Sequence, residues 1–386
     1  MANADTTPHE PLPPGSTLGV FGGGQLGRMF CEAASALGFK THVFAPEGDC
    51  PASQAADAHT VADYHDFAAV AGFAESVDAV TLEFENVPVA TAEAAARHTR
   101  VAPSGEALFM VQNRGREKRF LLGAGVPCAP FAMVRNNDEL LAAVDLIGAP
   151  SVLKTTQFGY DGKGQVVLHD AAEAADAWAY LGRHKCVLEQ FVEFRREVSV
   201  VVARGMDGAT AVCGPIENDH KNHILDLSLL PAACDESVAA EARRVAELVA
   251  KELDLVGVVC VEFFETTDGQ VVVNEIAPRP HNSGHLTIEA CAASQFEQQA
   301  RAIAGMPLGS FEAPRPAAMA NLLGDLWSAG EPDWDAAKAV DGVQLHLYGK
   351  GSARPGRKMG HLTAVADTVE AARDAVLEAR RRLGPS

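Results

Sequence analysis

The sequence predicts a multidomain protein of α/β and α+β class that opens on a Rossmann-like domain and continues into strand-rich domains. Three stretches carry that prediction: a strand–glycine turn–helix–strand unit over 17–45, two strands joined by a glycine-rich loop over 151–169, and an apolar hairpin over 259–279. The chain has 386 residues, more than one ordinary domain. At 47% hydrophobic and 22% charged, its composition supplies globular cores.

Residues 1–14 are acidic and proline-rich, without a basic or apolar run, and read as a disordered lead-in rather than a signal peptide. The Rossmann-like domain is expected over 15–108. TLGVF (17–21) reads as a strand, Gly22-Gly23-Gly24-Gln25-Leu26-Gly27 as the turn, then a helical run to Leu37, and THVFA as a strand ending at Ala45. Gly22, Gly24 and Gly27 satisfy GxGxxG, in which a helix N-terminus holds a dinucleotide pyrophosphate. Such a site also wants an acidic residue closing the second strand. Glu47 comes two residues late, so a tight turn without a ligand also answers the spacing. DAVTLEFENV (78–87) reads as a further buried strand, bringing Glu83 and Glu85 to the carboxyl edge where ligands of open α/β sheets bind.

After Ala102-Pro103-Ser104, residues 112–127 form a basic helix closed by glycine and proline. SVLK (151–154) and QVVLH (165–169) read as strands around TTQFGYDGKG. That loop lacks GxxxxGK[ST] and leads into a strand, so it is no P-loop. Its glycines suit a flap whose N–H groups approach phosphates and exclude water; a mobile hairpin tip is the alternative. Lys154 stands where it could reach a phosphate. Glu189 and Glu197 lie in a stretch of the kind that pairs with adenine and holds ribose hydroxyls. Residues 237–254 read as an amphipathic helix. LLGDLW, 343–365 and a helix over 369–383 form a small closing module.

Asp268-Gly269 between alternating apolar runs predicts a two-residue hairpin loop. Thr267 then faces Gln270 and, counting outward, Glu262 faces Glu275. Opposed carboxylates repel. A cation between them would remove the conflict, and two carboxylates plus ligand phosphates is how Mg²⁺ is commonly held. NEIAPRPHNSGH (274–285) is the densest polar stretch; there Arg279 suits a planar anion such as bicarbonate. A net charge of −19 argues against a nucleic-acid-binding surface, and no window is long and apolar enough for a membrane helix. Against that charge the cluster Lys350, Arg354, Arg357 and Lys358 reads as a phosphomonoester pocket, or as a solvated basic loop. Eight cysteines without a CxxC pair read as reduced, hence cytoplasmic.

GGGQLGRM, FGYDGKG, the VEFF…NE pair, NEIAPRPHNSGH and RPGRKMGH, in this order, resemble the 5-(carboxyamino)imidazole ribonucleotide synthase family of the ATP-grasp superfamily. The resemblance runs from about 17 to about 380. It implies an ATP-grasp region over 109–320 (lid about 126–188, central domain 189–320), a C-terminal module over 321–386, and a homodimer. It implies carboxylation of 5-aminoimidazole ribonucleotide with ATP, bicarbonate and Mg²⁺, with Mn²⁺ as the alternative cation. The ATP contacts fall on Arg114, Lys154, Gly159, Tyr160, Asp161, Gly162, Lys163, Gly164, Gln165, Glu189, Gln190, Phe191, Val192, Glu197, His220, Asn274 and Glu275. The metal ligands fall on Glu262 and Glu275. Gln25, Glu83, Tyr160, Asp161, Arg279, His281, Lys350 and Arg357 match the ribonucleotide side, and Asp161, Arg279 and His281 are the catalytic candidates. Asn113 replaces the aspartate usual before Arg114. Two other classes, a Rossmann oxidoreductase and a non-catalytic nucleotide sensor, explain fewer of these motifs. A formate-dependent glycinamide ribonucleotide transformylase is the nearest alternative enzyme.

Overall fold

The structure is a computed structural model that describes residues 10–157 and 163–384. Its first sheet comprises β1 (Thr17–Phe21), β2 (Lys40–Ala45), β3 (Ala58–Val61), β4 (Ala79–Leu82) and β5 (Arg100–Val101), all parallel, in the order β3-β2-β1-β4-β5. β1 and β4 are almost wholly buried, as parallel strands covered on both faces must be. The order turns back between β1 and β4, so their carboxyl ends open the crevice of the sheet. The strand expected over 78–87 stops at Leu82, because Glu83 turns its side chain into the loop after β1. The lead-in is placed from Glu10, short of the expected disorder to 14. Leu12 donates to the Ala304 carbonyl (2.8 Å) and packs against the core around Phe30 and Phe296.

The second sheet holds β6 (Phe131–Val134), β7 (Ser151–Thr155), β8 (Gln165–Leu168) and β9 (Cys186–Gln190), antiparallel in the order β6-β9-β7-β8. Leu153 and Leu188 meet Leu140 and Trp178 of the covering helices. The expected lid boundary at 188 falls inside β9.

The third sheet takes β10 (Phe194–Arg204), β11 (Thr210–Lys221), β12 (Ile224–Leu230), β13 (Gly257–Thr266), β14 (Val271–Ala277), β15 (Ala317–Leu323), β16 (Val343–Leu347) and β17 (Lys358–Val365). Their order is β14-β13-β10-β11-β12-β15-β17-β16. The closing module is therefore no separate sheet: β15 pairs with β12, and the expected boundary at 320 runs through β15.

Two-residue alternation divides β10 and β13 between two cores. Val200 and Val261 face the helix Glu236–Glu252 through Val245 and Val249. Val201, Val258 and Cys260 face the opposite side with Leu286. Glu262, two residues past Cys260, shares that second face with the turn Asn282–Leu286. A carboxylate in an apolar strand is thereby aimed at a polar loop.

Candidate active site

The hairpin reaches its expected pairing by an unexpected route. Thr266 donates to the Gln270 carbonyl (2.9 Å), so the loop has three residues, with Gly269 at φ +80° where only glycine is unstrained. Next to it Glu265 faces Val271, one residue off the two-residue expectation. Farther along, β14 carries an extra residue, Asn274, and this bulge restores the register, so that Glu262 faces Glu275. The bulge is held by Val273 donating to the Pro127 carbonyl (2.8 Å) and Lys118 Nζ donating to the Asn274 carbonyl (3.2 Å).

Each opposed carboxylate has its own cation. Glu262 Oε1 lies 2.9 Å from His281 Nε2. Burial works to raise the Glu262 pKa, but His281, His220 and Lys358 hold it down at about 2. For His281 the lowering effect of burial is outweighed by Cys260 and Glu262, which push it up to about 10. Glu275 Oε2 lies 3.4 Å from Arg114 Nη1. Asn113 Oδ1 accepts from Gly115 N (3.1 Å) and Arg116 N (3.2 Å), capping the helix Arg114–Gly123 as an aspartate would.

These groups stand on the wall of a cavity of about 390 Å³ between the second and third sheets. Arg114, Lys154, Lys163, Gln165, Glu189 and Gln190 line it, together with Phe191, Val192, Glu197, His220, Asn274 and Glu275. Gly164 supports it from the β7–β8 hairpin, its carbonyl accepting from Thr155 N (2.8 Å). Gly159, Tyr160, Asp161 and Gly162 lie outside the described residues. Two details differ from expectation. Glu189 is no open ribose acceptor, since its Oε2 is 3.1 Å from Lys154 Nζ and 3.2 Å from Lys118 Nζ. Burial opposes its ionisation, but the two lysines hold its pKa below the ordinary value. Glu197, paired with His220 at 3.3 Å, is the accessible carboxylate. Lys118, absent from the expected set, is fully buried beneath the site; the basic run 112–127 was its sequence signal.

A second cavity of about 350 Å³ continues from the first, sharing Arg114, Glu275, His281, Asn282 and Lys358 with it. Gln25, Glu83, Glu85 and Arg279 line its far side. The sequence left Arg279 an open fork for an anion. In the structure Glu85 fills that fork, meeting Nε and Nη2, while Nη1 donates to the Pro280 carbonyl (3.1 Å). Burial works to raise the Glu85 pKa, and Arg279 holds it at about 2. Glu83 accepts from Gly24 N (2.6 Å) and Gly27 N (2.9 Å), filling the GxGxxG loop with the protein's own carboxylate. A Cβ at Gly22 or Gly24 would collide with that side chain. The glycines make room for Glu83 where a dinucleotide site would admit a pyrophosphate.

A third cavity, about 340 Å³, shares Glu83 and Phe84 with the second and is lined by Lys350 and Arg357. Lys350 Nζ donates to the Lys358 carbonyl (2.6 Å), and Arg357 Nη1 to the Ser352 carbonyl (2.8 Å). Burial, then Arg357, lowers the Lys350 pKa to about 8. Both expected phosphate cations thus face one space at the border of the first and third sheets.

Among the described residues no three or more His, Cys, Asp and Glu side chains gather as a metal cluster. Two opposed carboxylates are nevertheless the hard-oxygen pair that suits Mg²⁺ when phosphates and water complete its shell.

Known proteins match this arrangement along most of the chain. Residues 16–112 match the ribonucleotide synthetase preATP-grasp domain, 119–296 the ATP-grasp domain, and 317–375 the phosphoribosylaminoimidazole carboxylase C-terminal domain. The N5-carboxyaminoimidazole ribonucleotide synthase of Brucella melitensis is 45% identical over 359 residues, 92% of this chain and 97% of that protein. That of Bacillus subtilis is 42% identical over 350 residues, 91% of each. A crystal structure of such a synthetase with ADP superposes with a TM-score of 0.91 at 41% identity, over 96% of this chain and 98% of the other. The Aspergillus clavatus enzyme, in complex with ADP and 5-aminoimidazole ribonucleotide, gives a TM-score of 0.88 at 31% identity, over 96% and 99%.

Proposed function

The chain belongs to the N5-carboxyaminoimidazole ribonucleotide synthases, ligases of the ATP-grasp fold, and we propose that it performs their reaction across its three joined cavities. The reaction carboxylates the exocyclic amine of 5-aminoimidazole ribonucleotide with ATP and bicarbonate, in purine biosynthesis. One observation carries the assignment of parts. The first and second cavities share the wall bearing Glu275, His281 and Lys358, and the second and third have Glu83 and Phe84 in common. A nucleotide in the first would point its γ-phosphate at the shared wall. A ribonucleotide across the second and third would set its amine there and its phosphate at Lys350 and Arg357.

Lys154, Lys163 and Arg114 bind and orient the nucleotide phosphates. A bicarbonate oxygen bonds to the γ-phosphorus as the β,γ-bridging P–O bond breaks, leaving ADP and carboxyphosphate. Cleavage of the carboxyphosphate C–O bond frees phosphate and carbon dioxide; the amine nitrogen then bonds to that carbon and loses a proton. Asp161 and His281 are the proton carriers of this scheme, and Arg279, held by Glu85, fixes positive charge beside the forming carbamate. Carboxyphosphate is hydrolysed rapidly unless water is kept from it. A Mg²⁺ or Mn²⁺ held by Glu262 and Glu275 would neutralise charge on the transferring phosphoryl group. The cysteines are free thiols, in keeping with a reducing cytoplasm, and the chain is read as a homodimer.

The test is product formation from ATP, Mg²⁺ and bicarbonate with and without 5-aminoimidazole ribonucleotide. Phosphate and carboxylated ribonucleotide should appear together. Turnover of formate with glycinamide ribonucleotide, and none with the imidazole, would overturn the reading.

A further inference from the structure

His281 stands at the wall shared by the first two cavities, and its own main chain is gripped by a residue from another element. Gln295 opens the helix Gln295–Ile303 and is fully buried. Its Oε1 accepts from His281 N (2.9 Å), and its Nε2 donates to the His281 carbonyl (2.7 Å) and to His285 Nδ1 (3.1 Å). The histidine main chain needs one acceptor and one donor, which fixes the orientation of the amide. The grip is itself built in. Thr287 Oγ1 accepts from Gln295 N (3.0 Å) and donates to the Gly284 carbonyl (2.6 Å). A Cβ at Gly284 would sit on Gln295 Oε1, so glycine there lets the amide approach. Beyond the clamp, the His281 ring places Nε2 on Glu262 and Nδ1 2.9 Å from Ser283 Oγ.

We propose that Gln295 is a positioning residue for the carboxylation step, holding the His281 main chain at both polar ends so that its imidazole spans Glu262 and the ribonucleotide cavity. The inference rests on the role given to His281 above. A glutamine that served only the core would affect stability. One that positions His281 affects turnover through His281 alone.

The test is a double-mutant cycle of Gln295→Leu and His281→Ala, with Gln295→Glu as a second variant that keeps the acceptor and loses the donor to the carbonyl. Turnover, KM for ATP, and the ratio of phosphate released to product formed are measured on folded protein, checked by melting temperature. Displacing a reacting group by about an ångström costs on the order of a hundredfold. Gln295→Leu should lower kcat about ten- to a hundredfold with the KM for ATP changed less than about twofold, and more phosphate should be released per product. Gln295→Glu should fall between it and the parent. In the His281→Ala background, Gln295→Leu should cost nothing further. Parent-like turnover in both Gln295 variants, or a further tenfold loss in the double variant, overturns the inference. A His281→Ala protein that turns over normally overturns the role of His281, and the inference with it.

Discussion

Raising the pH should weaken capture of the ribonucleotide before it affects ATP. Lys350 faces Arg357, Lys358, Arg354 and Glu83; burial and Arg357 bring its pKa down to about 8, with only Glu83 pulling the other way. A substrate phosphate, with a second pKa of about 6, stays dianionic above neutrality. The titrating partner is then the lysine: charged and anion-binding below about pH 8, neutral above. At about pH 9.5 roughly 3% of the free enzyme keeps the proton. A charged hydrogen bond is worth about 1.5–3 kcal/mol, so kcat/KM for the ribonucleotide should fall about ten- to a hundredfold and then level off. Bound phosphate restores the proton, so kcat should hold to higher pH. Initial rates at limiting ribonucleotide and saturating ATP measure the limb. Lys350→Ala should raise KM about tenfold or more at pH 7 and erase the limb. Arg357→Ala should also raise KM, yet move the limb upward by removing the neighbouring cation. A limb that persists in Lys350→Ala, or moves down in Arg357→Ala, refutes the pocket.

Glu275→Gln should abolish turnover with Mg²⁺ while the protein stays folded, the relief of repulsion with Glu262 being set against the loss of the Arg114 ion pair; near-parent activity would remove Glu275 from the metal site. Lys118→Met leaves Glu189 with Lys154 alone and the Asn274 carbonyl without its donor. A loss of about 2 kcal/mol or more in urea unfolding is expected, with a raised KM for ATP. Asn113→Ala should cost about 1 kcal/mol in the same assay through the lost helix cap, whereas Asn113→Asp should be close to neutral and fully active.

Much of the site was legible because its signals are local. Strand ends at Phe21 and Ala45, the basic helix, the β7–β8 pair and the amphipathic helix follow from alternation, glycine and proline. The facing of Glu262 and Glu275 was also legible, although a three-residue loop and the Asn274 bulge compensate for each other to produce it. Illegible features depend on distant partners. Glu85 and Arg279 are 194 residues apart, half the length of the chain, and nothing near either predicts that they meet. β15 joining β12 is likewise a non-local pairing, so a continuous sheet reads in sequence as a separate module. Lys118 carries the same local signature as the exposed Arg119 beside it, and only packing distinguishes the two. The glycine turn satisfied a dinucleotide spacing because both solutions need room over a helix N-terminus; which one applies is decided by Glu83, from the loop after β4.

The central claim is that ATP energy passes through a bicarbonate-derived acyl phosphate formed at the wall shared by the first two cavities. ¹⁸O-labelled bicarbonate tests it most directly, with the released phosphate analysed by mass spectrometry after turnover in unlabelled water with ATP and 5-aminoimidazole ribonucleotide. Attack of a bicarbonate oxygen on the γ-phosphorus carries one labelled oxygen into each phosphate. Phosphate free of label, formed while the carboxylated ribonucleotide accumulates, would contradict the account.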